Sequence, residues 1–241
     1  MNLTVAFFGA WNPGYPRNRI LRAGLAAAGA RVLETRVRER RAVFRWPALA
    51  AEFAHQGAAA DVVLVPEFRH KDVPLARALC GRRLLAFDPL VSRWDTLVGD
   101  WGLHATGSAQ ARWNRGIDRW SLHAADLVLC DTWEHGALFE SLGAARERLR
   151  RVLVGAEQVF FDAGLVPPPA SGPVRVLYVG GFLPLHGVSH VVQAAAQLER
   201  EASGLPDYEI ELVGRGIEFE AVGAQVERLG LTRVRLAGPK P

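Results

Sequence analysis

Two stretches of the chain place glycines where a strand gives way to a helix, an arrangement that suits an anion. In residues 174–198, VRVLYVGGFLPLHGVSHVVQAAAQL, a buried strand stops at Gly180 and Gly181. A loop follows with Phe182, His186 and Gly187, and helical spacing begins near Val188. The first N–H groups of a helix lack intrahelical partners and lie at the positive end of its dipole, so such a junction can seat a phosphate. His186 would add a donor or a charge. A plain turn is the competing account, and the absence of G-K-[ST] excludes a Walker A loop. In VGRGIEFE (213–220), Gly214 and Gly216 flank Arg215 at another strand end, a weaker form of the same geometry.

Three further loops carry polar side chains at strand ends. In GAWNPGYPRN (9–18), Gly9 and Gly14 let backbone approach a ligand, and Arg17 could reach an anion, with Asn12 and Asn18 beside them. The spacing is not G-x-G-x-x-G, and Pro13 and Pro16 each remove a backbone donor, which disfavours a dinucleotide site. A long turn is the alternative. In DPLVSRWDT (88–96), Asp88 and Asp95 could orient sugar hydroxyls or act as a base, or Asp95 could cap a helix. In CDTWEHG (130–136), Asp131 and Thr132 are good N-caps, and His135 is the residue with chemistry to offer a cleft. Catalytic candidates are thus Asp88, Asp95 and His135.

Such loops need a scaffold, and the rest of the sequence describes one. Apolar runs at 3–9, 31–37, 61–68, 82–90, 127–132 and 148–156 read as strands. Helical patterns at 18–30, 44–57, 73–81, 117–126 and 134–143 separate them, with Pro47 near a first turn. Strands apolar on both faces that alternate with helices imply a doubly wound parallel sheet. Ligands bind such sheets at the carboxyl ends of the strands. The run GLVPPPASGP (164–173) reads as an interdomain linker. After it the rhythm restarts with strands at 174–181, 208–216 and 233–238 and helices to Leu198 and at 218–230, then stops. The expected fold is α/β: a Rossmann-like domain at 1–165, then an incomplete second Rossmann-like domain at 172–241.

Bulk properties narrow the class. The net charge is +4, and Lys71 and Lys240 are the only lysines among 29 basic residues. Arginine suits forked contacts to phosphate and carboxylate, though an arginine-rich composition can also be a genomic habit. No aromatic interleaving, helix-turn-helix or RRM pattern supports nucleic acid as a partner. The arginine-rich run RVRERRAVFR (36–45) is a solvated face or, more sharply, a peripheral contact with anionic headgroups, with Phe44 and Trp46 beside it. MNLTVAFF lacks a signal-peptide pattern and no apolar run approaches membrane-spanning length. A cytoplasmic protein is expected, with peripheral contact at the inner membrane face as the variant. Cys80 and Cys130 form no C-x-x-C motif and read as buried thiols.

In combination these blocks resemble the GT-B glycosyltransferases, specifically the retaining family 4 type. VLYVGGFLPLHGVSHVVQAA and ELVGRG look like the donor half. FDPLVSRWDTLV, AADLVLCDTWEHGALF and RVLVGAEQVFF look like the acceptor half of a bacterial subgroup. The resemblance implies transfer of a sugar from a nucleotide-diphosphate sugar to an envelope, polysaccharide or lipid-linked acceptor, with no metal and no bound cofactor. It implies that Gly180, Gly181, Phe182, His186 and Gly187 line the diphosphate side. Gly214, Arg215 and Gly216 would lie near the nucleoside, and the Gly9–Asn18 loop would face the donor. Where many members carry Arg and Lys, this chain has Gly181 and His186. The family's E-x7-E segment would fall beyond Pro241, so a complete donor site is not expected within these residues alone. The competing function is a non-catalytic GT-B-derived binding module or partner subunit.

Overall fold

The computed structural model describes residues 3–38, 41–164, 167, 171–201, 204 and 206–240. Half of the expected linker, at 165, 166 and 168–170, lies outside them. The chain divides into two compact units, Met1–Gly164 and Leu165–Pro241.

The first unit runs β1 (Thr4–Gly9), α1 (Pro16–Ala27), β2 (Arg31–Arg36), α2 (Ala42–Glu52), β3 (Val62–Val65), α3 (Val73–Cys80), β4 (Leu84–Phe87), α4 (Ala109–Ala124), β5 (Leu127–Cys130), α5 (Trp133–Ser141), β6 (Leu149–Arg151) and α6 (Gln158–Asp162). The strands form one sheet in the order β2-β1-β3-β4-β5-β6, and every pairing is parallel. Period-two alternation sorts its side chains. Phe8, Val63, Val65, Leu85, Phe87, Val128 and Cys130 pack with residues of α2 to α5 on one face. Val5, Phe7, Leu64, Ala86 and Leu129 pack on the other, against Leu21 and Leu25 of α1. Burial on both faces explains why β3, β4 and β5 are uniformly apolar.

The second unit runs β7 (Val174–Val179), α7 (Val188–Arg200), β8 (Tyr208–Val213), α8 (Phe219–Leu229) and β9 (Val234–Ala237). Its three strands are parallel in the order β7-β8-β9. Phe182, Val188, Val192, Leu212 and Val222 form its core. Both units thus have the expected parallel α/β build. Among the described residues no helix is long and apolar enough to cross a membrane.

Several local expectations change. Helix α2 begins at Ala42, which puts Pro47 inside it rather than in its first turn; a wider π turn follows at Phe53–Gly57. Helix α4 starts at Ala109, well before 117, because Ser108 caps it by accepting from the Ala111 N–H at 3.1 Å. The strand expected over 148–156 is only Leu149–Arg151. The run at 36–45 is not wholly a solvated face, since Arg45 turns inward and its Nε donates to Asp72 Oδ1 at 2.7 Å; Glu39 and Arg40 lie outside the described residues. Cys80 and Cys130 are buried free thiols.

In the second unit the ends of β7 and β8 meet at backbone distance. The N–H of Gly180 donates to the Val213 carbonyl at 3.0 Å, and that of Phe182 to the Arg215 carbonyl at 3.1 Å. Gly214 has φ +139°, and a Cβ on it would lie 1.8 Å from the Gly180 oxygen. Only glycine accepts that φ and that contact. Gly214→Ala is therefore expected to destabilise this unit by about 2 kcal/mol or more. Amide exchange should show lost protection in β7 and β8 with the first sheet unchanged; uniform protection in both units would contradict the account.

Candidate functional site

The glycine turn after β7 is built around one carbonyl. Tyr178 Oη donates to the Gly181 oxygen at 2.6 Å, and His186 Nδ1 meets the same oxygen at 2.5 Å. A carbonyl only accepts, so the His186 proton sits on Nδ1. The Phe182 N–H, on the other edge of that peptide, is held by Arg215. One peptide plane is therefore fixed from both sides. The preceding plane turns its Gly180 oxygen against Gly214, so the Gly181 N–H points away from Gly214. It has no acceptor among the described residues. Helix α7 starts close by in sequence, with Gly187 at its N-cap and no side chain capping it. In its first turn the His190 N–H donates to the Gly187 carbonyl at 2.9 Å, and those of Val188 and Ser189 have no acceptor among the described residues.

This geometry corrects the wider expectation for the turn. Gly180 and Phe182 offer no free amides, because both are spent on β8 and its loop. The Phe182 ring is buried, edge-on to Tyr178 and Phe219 at 5.9 and 4.9 Å. Gly187 spends its N–H on the Pro184 carbonyl at 3.1 Å. His186 positions the turn through Nδ1 rather than standing as a loose cation. Gly214 and Gly216 are glycines because loop 180–182 packs on them: a Cβ on Gly216 would lie 2.3 Å from the Phe182 oxygen. Arg215 stacks its guanidinium over Phe219 at 5.5 Å and supplies the carbonyl that holds Phe182. Tyr178 was not among the expected residues. Only the chain's fold-back brings its hydroxyl onto a carbonyl three residues later.

The first unit gathers charge at the carboxyl ends of β1, β3, β4 and β5. Arg17 does not wait for an anion: it is 2% exposed and forks onto Asp88, with Nε and Nη2 at 2.7 and 2.9 Å from the two carboxylate oxygens. Its Nη1 donates to the Val152 carbonyl at 3.1 Å. Burial works against both charges, lowering the Arg17 pKa and raising that of Asp88. For Arg17 the contact with Asp88 outweighs burial and leaves its pKa raised; for Asp88 burial wins and leaves its pKa raised too. Asp131 also acts on Arg17. It accepts from the Thr132 N–H at 2.8 Å and pairs with His135 Nδ1 at 2.5 Å, while Thr132 caps α5. Asp88 is thus occupied, and His135 is tied to Asp131.

Asp95 lies apart from Asp88. It is exposed, and it sits inside a turn capped by others. Ser92 Oγ accepts the Asp95 N–H at 3.0 Å, and Asp118 on α4 accepts from Ser92 Oγ and from the N–H groups of Arg93 and Trp94 at 2.7–2.9 Å. The loop at 9–18 is also anchored. The Ala10 N–H donates to Asp72 Oδ2 at 3.1 Å and Arg69 Nη1 donates to the Ala10 carbonyl at 2.9 Å. Asn12 Oδ1 accepts from the Gly14 N–H at 2.9 Å, and its carbonyl from Asn18 Nδ2 at 2.8 Å. Gly9 ends β1 against Asp72. Glu67, just past β3, joins this group. Burial pushes its carboxyl up to about 7, Asp88 adds to the rise, and Asn18 and Arg69 oppose it. Its signal in the sequence was a carboxylate directly after a buried strand.

No protein-family model and no curated protein matches the chain. Solved structures do. The chain is similar to HepE from Anabaena in complex with UDP and glucose, with TM-score 0.63 at 15% identity over 100% of this chain and 70% of that one. It is similar to the sucrose-phosphate synthase of Thermosynechococcus elongatus, with TM-score 0.65 at 16% identity over 99% and 71%. It is also similar to the lipopolysaccharide outer core galactosyltransferase WaaB in its apo form, with TM-score 0.54 at 13% identity over 100% and 68%. These neighbours are GT-B glycosyltransferases and the chain has the GT-B fold, spanning about 70% of their length.

The raised Glu67 carboxyl makes stability depend on pH. Folding favours its protonated form, so its contribution is full below about 4.5, its ordinary value, and is lost as pH rises through about 7. Glu67→Gln removes the ionisation. The variant is expected to gain on the parent by about 3 kcal/mol between pH 4.5 and pH 8. Urea unfolding at both values reads this directly, and an equal gap at both would refute the assignment.

Proposed function

We propose that the chain forms the acceptor-side unit and the leading part of the donor-side unit of a retaining, family 4 type glycosyltransferase. It would use a nucleoside-diphosphate sugar and a hydroxyl acceptor of the envelope, polysaccharide or lipid-linked kind. The observation that carries the reading is the Gly181 turn: a carbonyl clamped by Tyr178 and His186, an unpartnered Gly181 N–H, and an uncapped helix N-terminus in the same loop. In sugar transfer from such a donor, negative charge grows on a phosphate oxygen as the glycosidic bond breaks. Donors that already point at that oxygen stabilise it without reorganising. The N–H groups of Gly181, Val188 and Ser189 are the donors of this kind. The GT-B fold supports the reading, as do neighbours solved with UDP and with UDP-glucose.

Thermal shift with UDP and with GDP tests it. A ligand at about 100 times its Kd stabilises by about 2.7 kcal/mol. Because a complete donor site is not expected within these residues, one of the two nucleotides is expected to raise the melting temperature of the second unit only weakly, and Gly181→Asp is expected to abolish the shift by placing a carboxylate at the phosphate seat. Absence of any shift, or a shift that survives Gly181→Asp, would remove the turn from the site.

A further inference from the structure

Helix α2 is turned the wrong way round for a helix that faces water. Between Arg41 and Glu52 the sequence AVFRWPALAA holds a single charged residue, Arg45. That residue is 4% exposed, and its guanidinium pairs with the buried carboxylate of Asp72 at 2.7 Å. Val43 and Phe44 face out instead, 79% and 62% exposed, and Pro47, Ala48 and Ala51 are exposed further along. A surface helix ordinarily sends its apolar stripe inward and its charges to water. Leu49 obeys that rule and is fully buried, but the outer face carries no charged side chain between Arg41 and Glu52. The fold imposes the inversion. Asp72 also accepts from the Ala10 N–H at 3.1 Å, so Arg45 cannot swing out without leaving a fixed, buried carboxylate unpaired.

The outer face continues into a hollow. Val43, Trp46, Pro47 and Ala50 of α2 and Leu75 of α3 line an open apolar depression of about 450 Å³. Positive charge gathers at the start of the helix. Arg38 and Arg41 are exposed, Arg41 is the N-cap of α2, and no acidic residue stands in the first turn to offset the dipole. Lys71 feels the same field: partial burial lowers its pKa, and Arg93 and Arg45 lower it further. An exposed apolar patch marks a contact surface. Arginines at one edge of it, on a helix of 11 residues that is too short to cross a bilayer, match a surface with anionic headgroups outside and acyl chains just beneath.

We propose that α2 lies in the headgroup layer of an anionic bilayer, with Val43, Phe44 and Pro47 among the acyl chains and Arg38 and Arg41 against lipid phosphates. The proposal concerns the first unit alone and is independent of the Gly181 turn.

Flotation of the full chain with vesicles tests it, using phosphatidylcholine alone and phosphatidylcholine mixed with phosphatidylglycerol. The chain is expected to float with the mixed vesicles and not with the neutral ones, and to bind less as salt rises. Val43→Ser with Phe44→Ser should lower partitioning about tenfold or more. Both side chains are exposed, so the melting temperature should not move, which separates lost binding from lost folding. Arg38→Ala with Arg41→Ala should lower partitioning about fivefold for each residue. Failure to float with either vesicle overturns the proposal. Flotation that survives the serine pair overturns it too, since charge alone would then be the cause. Sedimentation velocity supplies the last arm: a dimer that grows with concentration and that the serine pair disperses would give the face to a second copy and overturn the bilayer assignment.

Discussion

The second unit depends on a single peptide group, the one joining Gly181 to Phe182. Its carbonyl is clamped by Tyr178 and His186 and its N–H by Arg215, so the plane cannot rotate. Everything that makes the turn a candidate for phosphate follows from that. The neighbouring Gly181 N–H is left outward, β8 is drawn against β7, and Gly214 and Gly216 are required to be glycines. Backbone groups near a sheet end must all be accounted for. Here the accounting among the described residues leaves the Gly181 N–H over, next to a helix whose N-cap, Gly187, has no side chain to cap it.

The first unit solves the converse problem. Its strand ends carry carboxylates rather than glycines, and a lone buried carboxylate is not tolerated. Arg17 neutralises Asp88, Arg45 reaches Asp72, and the backbone N–H groups at 93 and 94 with Ser92 satisfy Asp118. His70 shares this layer and is driven down to about 3 by burial and by Arg93 and Arg69, which keeps it neutral.

The scaffold was legible because its signal is long range in sequence and simple in physics. Strands such as VVLV at 62–65 are apolar throughout since helices or sheet-packed side chains cover both faces. The turn at 180–181 was legible too, as glycines between a strand and a helix. What could not be read were the partners. Nothing local in DPLVSRWDT says that Asp88 lies on Arg17, which is 71 residues away in the chain. Equally, Asp118 looks like an ordinary polar residue of α4 until the loop at 92–94 is laid on it. Arg17 was over-read for the same reason: a charged side chain at a strand end looks available until its partner is known. The start of α4 was missed because Ser108 was not recognised as its cap, so polar ARWNRG read as loop.

The resemblance leads one to expect fixed cations where this chain has Gly181 and His186, and the structure has there an outward N–H and a ring that holds the Gly181 carbonyl. A lysine or arginine attracts an anion over a distance comparable to the screening length, about 10 Å at ordinary salt. A clamped N–H acts only in contact and only along its own direction. Trading the first for the second gives up affinity before it gives up geometry. His186 contributes to that geometry by fixing the Gly181 carbonyl, a task that either a charged or a neutral ring can perform through Nδ1. If the leaving charge in sugar transfer is met mainly by donors in place beforehand, then the feature that must survive substitution is the orientation of the peptide plane. The positive charge is the more dispensable part.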